Sequence, residues 1–376
     1  MNRRYKKILF VCNVDWFFLS HRLLIAREAL NKGYEVAIAA EDTGKGKEIE
    51  SFGFQFYHLP LSRSGANPFK ELITLVNIYK LYKRIHPDII HHITLKPIIY
   101  GSLISRLLGV GKIVNAVSGL GYNFIKENNS LLQRLIIELM KFGFKRDIKF
   151  IFQNRDDYQE LKDQNVFSKY NSFYFIKGSG VDLNKFYATP MPDFSKIKIV
   201  LAGRMLIDKG VYEFYEAAML LKPKYFNKLE FRLAGIADNN NRSGISIETL
   251  TSWSLNNYFK WIGHQSDISR LYRNSHIVIL PSYREGIPRS LIEACASGRA
   301  IITTDAVGCK ECVDEGVNGL KVKVKDSKNL ALAIENLINE PEKIVMMGKE
   351  SRLKAEREFD VKQVINTHLN IYNELF

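Results

Sequence analysis

One stretch of this chain leaves it few ways to fold: HIVILPSYREGIPRSLIEACASGRAIITTD, residues 276–305. Residues 277–280 are a continuous apolar run rich in β-branched side chains, the pattern of a parallel strand buried on both faces. Residues 281–286 form a polar turn. Pro288 suits the first turn of a helix, where its missing N–H costs nothing. The helix 288–296 turns Leu291, Ile292, Ala294 and Cys295 inward, and Ser297-Gly298 stops it with a residue that tolerates a left-handed cap. A second strand follows at 300–304. Strand, turn, helix and strand make one β-α-β unit. Its turn falls at the carboxyl end of a parallel strand, where open α/β sheets bind ligands, and the start of the next helix attracts an anion. Glu285 lies in that turn and Glu293 about two helical turns further on, so the pair can flank a ligand much longer than one phosphate.

The rest of the chain alternates in the same way. Strands are expected at 7–14, 34–40, 54–59, 88–92, 112–117 and 148–152, with helices at 19–32, 69–85, 98–108 and 156–163 between them. A second series of strands begins at 198–202 and continues at 229–235, 259–263 and 276–280. Its helices are expected at 211–221, 288–296, 329–338 and 341–358. Short links between alternating strands and helices imply an α/β architecture with doubly wound parallel sheets. Thr189–Asp193, with Pro190 and Pro192, reads as the link between two domains, 1–185 and 194–360.

Polar residues gather at the strand ends of the first half. Asp15 and His21 follow the first strand; His91, His92 and Lys96 follow the strand at 88–92; Ser118, Gly119, Gly121 and Asn123 follow the strand at 112–117. Polar groups converging on one sheet edge point to a site, and a Ser-Gly-Leu-Gly loop can present N–H groups to a diphosphate. In the second half, Gly203-Arg204 follows the strand at 198–202 and Lys209-Gly210 opens the next helix. Two cations at a strand end suit a diphosphate, and arginine can bind one in a bidentate way.

Glu285 and Glu293, with seven residues between them in REGIPRSLIEACASGRAIITT, resemble the E-x7-E signature of retaining GT-B glycosyltransferases of family 4. Gly203-Arg204 with Asp208-Lys209-Gly210, and GSGVDLNKF at 178–186, resemble further landmarks of that family in the same order. LSRSGANPF (61–69), SGLGYNF, GVYEFYEAAMLLK and LPSYREGIP are similar to the bacterial enzymes that add N-acetylgalactosamine to a sugar on undecaprenyl diphosphate. The resemblance implies two facing Rossmann-like domains with a cleft between them, and a last helix, about 361–376, that returns to the first domain. It implies transfer of a sugar from a UDP-sugar with retention at the anomeric carbon. On that basis Arg204 and Lys209 are expected to bind the donor diphosphate, Glu293 the ribose, and Glu285 the transferred sugar. Gly203, Gly286, Ile287, Pro288 and Arg289 complete the expected donor site. The acceptor side is expected to use Asp15, His21, Arg22, His92, Lys96, Ser118, Gly119 and Gly121. Ser118 stands where the family has a His or Glu, so the resemblance gives no acid or base there.

Charge and composition narrow the partners. The net charge is +14, and residues 1–180 hold 27 Lys/Arg against 16 Asp/Glu, so +11 of it lies in the first half. A basic half calls for an anionic partner such as an acidic membrane surface or a phosphorylated substrate; no nucleic-acid signature accompanies it. No apolar run approaches the ~20 residues of a membrane span, and the apolar start is too short for a signal peptide. These features imply a cytoplasmic protein peripheral to the inner face of the cell membrane. Residues 131–150, with Lys141, Lys145, Arg146 and Lys149 beside Phe142 and Phe144, read either as a packed helix with a solvated basic face or as a contact with anionic lipid. Cys309 and Cys312 form a CxxC with no second pair, which argues for packed thiols rather than zinc. No D-x-D occurs anywhere, so metal-independent transfer without a cofactor is expected. An epimerase of the same fold would turn over donor without acceptor, and a non-catalytic sugar-nucleotide-binding subunit would not need Glu285, Glu293, Arg204 and Lys209 together.

Overall fold

The computed structural model describes residues 6–61, 68–120, 131–238, 241, 243–254 and 257–376. Gly121, Asn123 and most of the 61–69 motif lie outside the described residues. The chain divides into two compact units, residues 1–179 with 363–376, and residues 180–362.

The first unit runs β1 (Lys7–Val14), α1 (Asp15–His21), α2 (Leu23–Asn31), β2 (Glu35–Glu41), α3 (Gly46–Glu50), β3 (Gln55–His58), α4 (Pro68–Ile85), β4 (Ile89–Ile93), α5 (Leu95–Leu108), β5 (Lys112–Val117), α6 (Leu131–Gly143), β6 (Ile148–Phe152), α7 (Arg155–Asp163) and β7 (Asn171–Phe175). Its strands form one sheet in the order β3-β2-β1-β4-β5-β6-β7. Every pairing is parallel; Ile8 of β1, for example, lies between Val36 and Ile89. Ile8, Phe10 and Cys12 on one face of β1, and Leu9 and Val11 on the other, are fully buried, as their unbroken apolar run requires.

The second unit repeats the plan: β8 (Ile197–Ala202), a 3-10 turn at Ile207–Lys209, α8 (Val211–Tyr225), β9 (Leu229–Ala234), α9 (Ile247–Trp253), β10 (Phe259–Gly263), α10 (Ile268–Arg273), β11 (Ile277–Leu280), α11 (Arg289–Ala296), β12 (Ala300–Thr304), β13 (Gly319–Val322), α12 (Ser327–Ile338) and α13 (Pro341–Lys354). The sheet order is β10-β9-β8-β11-β12-β13. Both sheets therefore have the strand order of a dinucleotide-binding fold, reversing direction beside their first strand. The last helix, α14 (Val361–Glu374), buries Val364, Ile371 and Tyr372 in the core of the first unit.

Three expectations need correction, and a fourth is resolved residue by residue. The link between units is not 189–193, because the chain is already committed to the second unit from Gly180. Val181 pairs with Asp360, Phe186 is buried, and the buried Arg299 donates to Thr189 Oγ1 at 2.5 Å. The prolines there terminate local structure without freeing the chain. The expected first helix is two helices broken at Arg22, and α1 begins directly at Asp15. The edge strands β7 and β13 were not expected; both are short and partly exposed, so they lack a continuous apolar run. Finally, residues 131–150 divide between the two readings, for Phe142 and Lys145 are exposed while Phe144 and Arg146 pack inward. Phe144 is fully buried with its ring centre 4.9 Å from Phe150. Arg146 donates to the carbonyls of Ser105 and Gly111 at 2.9 and 2.7 Å. Lys141 pairs with Glu138, and Lys149 donates to Ser172. Phe144 and Arg146 thus secure the segment that follows α6, and Lys141 and Lys149 pair locally.

Three buried histidines sit in the first unit's core. His92 Nδ1 donates to Asn115 Oδ1 at 2.8 Å, and its Nε2 accepts from the Tyr82 hydroxyl at 2.8 Å. His368 of α14 donates from Nδ1 to the Val364 carbonyl and stacks 5.4 Å from His91, whose Nδ1 is 2.6 Å from the Tyr372 hydroxyl. Burial lowers the pKa of His92 to about 4 and of His368 to about 3, from an ordinary 6.5. All three are neutral in the fold. Below pH 6.5 the unfolded chain takes up protons that the native core refuses, so stability falls as pH drops from 6.5 towards 4. The melting temperature is expected to fall through that window, and His368→Phe, with a ring that cannot titrate, is expected to show a shallower fall. Equal slopes for the two proteins would show that His368 does not contribute to acid sensitivity.

Candidate active site

β8 and β11 are neighbours where the second sheet reverses its strand order, and the expected donor residues follow their carboxyl ends. Backbone contacts fix the turn at 281–288. Gly210, with φ +71°, caps the start of α8 against the Pro281 carbonyl, where any Cβ would collide. Gly308, with φ +82°, lies against the carbonyls of Glu285 and Gly286 in the same way. The Tyr283 N–H donates to the Asp208 carbonyl and the Glu285 N–H to the Val307 carbonyl, both at 2.9 Å. Thr304 Oγ1 donates to the Ser282 carbonyl at 2.5 Å. The turn is clamped between two glycine-bearing loops.

The clamp sets Glu285 against Lys209 in an ion pair whose side chains are only 14% and 19% exposed. Ser282, fully buried, donates to the same carboxylate oxygen at 2.7 Å. Arg204 follows β8 and pairs with Asp238 at 3.3 Å, its own side chain 42% exposed. Gly203 lies beneath Gly235, whose backbone at φ +149° leaves no room for a side chain over the Gly203 carbonyl. Pro288 caps α11 in an extended conformation rather than entering the helix, and Ile287 is buried. Glu293 is buried on α11. Burial raises its pKa, and Arg289, donating from Nε to Oε1 at 2.6 Å, opposes the rise. Of the expected donor residues, Lys209 pairs with Glu285 and Arg289 with Glu293, while Arg204 pairs with Asp238. Their cations are not idle, however: each of Lys209 and Arg204 already holds a carboxylate. An anion that took either cation would displace its carboxylate. Ser282, Asp238 and Gly308 are the parts that the sequence reading passed over. Asp238 opens the polar stretch DNNNRSG, where nothing in the sequence singles it out. Gly308 followed a strand without capping a helix, which was its one visible signal.

The first unit treats its expected site residues unequally. Asp15 is buried, and its carboxylate accepts from the Thr43 N–H and hydroxyl at 2.6 Å and from the Lys45 N–H at 3.0 Å. It anchors the 42–46 loop and is not presented to a ligand. His92 belongs to the core, as described above, because its ring points inward from β4 into the space beside Gly101. Arg22 is buried too; it donates to Ser118 Oγ at 3.1 Å and to the His21 carbonyl at 3.0 Å, tying α1 to the loop after β5. Burial lowers its pKa to about 10. His21 is half-buried, stacked 4.0 Å from Phe17. Ser118 and Gly119, the latter at φ +105°, are half-buried beyond β5. Lys96 opens α5 and pairs with Glu71 at 2.6 Å. Thus Arg22 joins His21 and Ser118 at one sheet edge, and Asp15 and His92 leave the set. Cys309 and Cys312 are buried free thiols, and burial pushes Cys309 up to about 12.

Comparison with known proteins agrees with this geometry. Residues 7–154 match the family described as glycosyl transferase 4-like, and residues 192–354 match glycosyl transferases group 1. The chain is 30% identical over 380 residues to N,N'-diacetylbacillosaminyl-diphospho-undecaprenol alpha-1,3-N-acetylgalactosaminyltransferase of Campylobacter jejuni, covering 95% of this chain and 98% of that protein. It is 22% identical to UDP-Gal:alpha-D-GlcNAc-diphosphoundecaprenol alpha-1,3-galactosyltransferase of Escherichia coli, covering 92% and 90%. Among solved structures, sucrose-phosphate synthase from Thermosynechococcus elongatus superposes with a TM-score of 0.78 at 18% identity over 99% of both chains. The Anabaena protein Alr3699/HepE in complex with UDP and glucose gives 0.79 at 19% identity over 98% of this chain and 100% of that one. The chain belongs to glycosyltransferase family 4 and is a glycosyltransferase of the GT-B fold.

Proposed function

We propose that the protein transfers an N-acetylhexosamine, N-acetylgalactosamine in the first instance, from a UDP-sugar to a saccharide carried on undecaprenyl diphosphate, with retention at the anomeric carbon. The observation that carries the reading is the Lys209–Glu285 pair at the point of strand reversal. A diphosphate brings more negative charge than one carboxylate, so it takes the Lys209 ammonium. Glu285 is then free to accept a hydrogen bond from a hydroxyl of the donor sugar. Arg204 turns from Asp238 to the same diphosphate, Glu293 receives the ribose hydroxyls, and the turn from Gly286 to Arg289 frames the nucleotide. The bond from the anomeric carbon to the diphosphate breaks as the acceptor hydroxyl attacks, and the departing UDP takes up the charge. With retention, acceptor and leaving group share one face of the sugar, and the leaving phosphate oxygen takes the hydroxyl proton. The transition state resembles an oxocarbenium ion, so fixed cations and positioning supply most of the rate.

The choice of sugar and of lipid carrier rests on the Campylobacter relative, named for N-acetylgalactosamine transfer to a diphospho-undecaprenol. The Escherichia coli relative, named for a galactosyltransferase on the same class of carrier, supports the carrier and leaves a second sugar to be tested. His21, Arg22, Lys96, Ser118, Gly119 and Gly121 are the acceptor-side residues in this reading. The protein works without a metal or other cofactor, since Lys209 and Arg204 supply the charge a divalent ion would. It works at the cytoplasmic face of the membrane, where its acceptor lies. Among the described residues no helix is long and apolar enough to cross a bilayer.

Incubation with UDP-GalNAc, UDP-GlcNAc, UDP-Gal and UDP-Glc, together with a short-chain polyprenyl-diphosphate saccharide, tests the reading. The expected result is one α-linked product from UDP-GalNAc, formed equally well in EDTA. A β-linked product, no transfer from any donor, or activity restored only by Mg²⁺ or Mn²⁺ would contradict it. Lys209→Ala and Arg204→Ala are expected to lower kcat on the order of a hundredfold each, the usual consequence of removing one fixed charge from a developing anion. Unchanged kcat in both variants would remove them from the leaving-group site.

A further inference from the structure

The outer surface of α4 carries a feature that the transfer reaction does not use. Phe69, Leu72, Ile73, Val76 and Tyr79 are 80%, 60%, 58%, 43% and 40% exposed. Their spacing of three and four residues places them on one side of the helix, over a rise of about 15 Å. The opposite side does the packing: Ile78, Tyr82 and Ile85 are buried against Leu9 and Val11 of β1 and Ala37 and Ala39 of β2. So α4 is apolar on two faces, and the inner one is covered by the sheet. Single exposed apolar residues are ordinary, whereas a contiguous row of five marks a contact surface.

Charge says what covers it. Beyond Tyr79 the same outward side continues as Lys80, Lys83 and Arg84, all exposed. The helix has one acid, Glu71, and it is turned away and paired with Lys96, its side chain 14% exposed. The outward face is thus an apolar row ending in cations, on the half of the chain that carries +11 of the net charge. A second copy of the chain would bring the same positive charge against itself. An anionic lipid surface offers the complement to both parts: acyl chains for the apolar row and headgroups for the cations. We infer that the outward face of α4 docks on an anionic bilayer, with Leu72, Ile73 and Val76 entering the headgroup boundary and Lys80, Lys83 and Arg84 on the phosphates. This rests on the reading that the acceptor is lipid-linked only for its purpose; the binding itself is separable from transfer.

The test is co-sedimentation with vesicles of phosphatidylglycerol and phosphatidylethanolamine, and of phosphatidylcholine alone. Wild type is expected to pellet with the anionic vesicles, to be released as salt rises, and to remain in solution with phosphatidylcholine. Leu72→Ser/Ile73→Ser/Val76→Ser and Lys80→Glu/Lys83→Glu/Arg84→Glu are each expected to weaken that binding at least tenfold. Both should keep the wild-type melting temperature and the wild-type rate on a water-soluble short-chain acceptor. Wild type that never pellets, or triple variants that pellet as well as wild type, would overturn the inference. So would sedimentation equilibrium showing a wild-type dimer that the Ser variant makes monomeric, because the row would then be a self-association face. Loss of transfer to the short-chain acceptor in wild type would instead defeat the proposed reaction and leave the docking result standing.

Discussion

The second unit is arranged around one half-buried ion pair, Lys209 to Glu285. Holding a lysine and a glutamate together at low exposure is costly unless the backbone fixes both and further polar groups share the charge. Here the backbone does so through positions that only glycine can occupy. Gly210 brings the start of α8 onto the Pro281 carbonyl, and Gly308 brings its loop onto the carbonyls of Glu285 and Gly286. Ser282 adds a hydrogen bond to the carboxylate. In the proposed reaction the pair is a pre-positioned cation whose counter-ion the donor diphosphate displaces.

The first unit has the same strand order and spends its sheet edge differently. Asp15 is saturated by the 42–46 loop, and His92 is locked between Tyr82 and Asn115. What reaches the edge is the group linked by Arg22, with His21 on one side and Ser118 on the other. Arg22 is fully buried and its burial lowers its pKa, so it acts through the loops it joins. α14 closes the unit by stacking His368 on His91. The chain's last residues are therefore part of its first core, and both ends of the sequence must be in place before that core is complete.

Much of this was legible from the amino acids. Continuous apolar runs such as 277–280 can only be buried strands, and their alternation with helices fixed the α/β class. The expected donor residues Arg204, Lys209 and Glu285 could be placed because they follow strand ends, where sequence order and spatial order coincide. Three things were hidden for physical reasons. Whether a polar side chain at a strand end points out or in depends on the loop that meets it, which is why Asp15 and His92 looked like ligand groups. Whether an aromatic and basic helix faces lipid or its own sheet depends on its rotation, which periodicity gives only up to the choice of face; in residues 131–150 it could not tell that Phe144 packs inward and Phe142 outward, and the row on α4 went unremarked. And the partners of Lys209 and Arg204 come from segments far away in sequence, Glu285 and Asp238, so their charge appeared unopposed.

The central claim is that Glu285 and the donor diphosphate compete for Lys209. Calorimetry with UDP on Glu285→Gln measures that competition directly, since the variant keeps the side chain's shape and removes its charge. The account predicts UDP binding tighter than wild type, on the order of tenfold, with the gain abolished when Lys209→Ala is added. UDP binding that is unchanged or weaker in Glu285→Gln would contradict it, and would show that Lys209 is not held in reserve for the diphosphate.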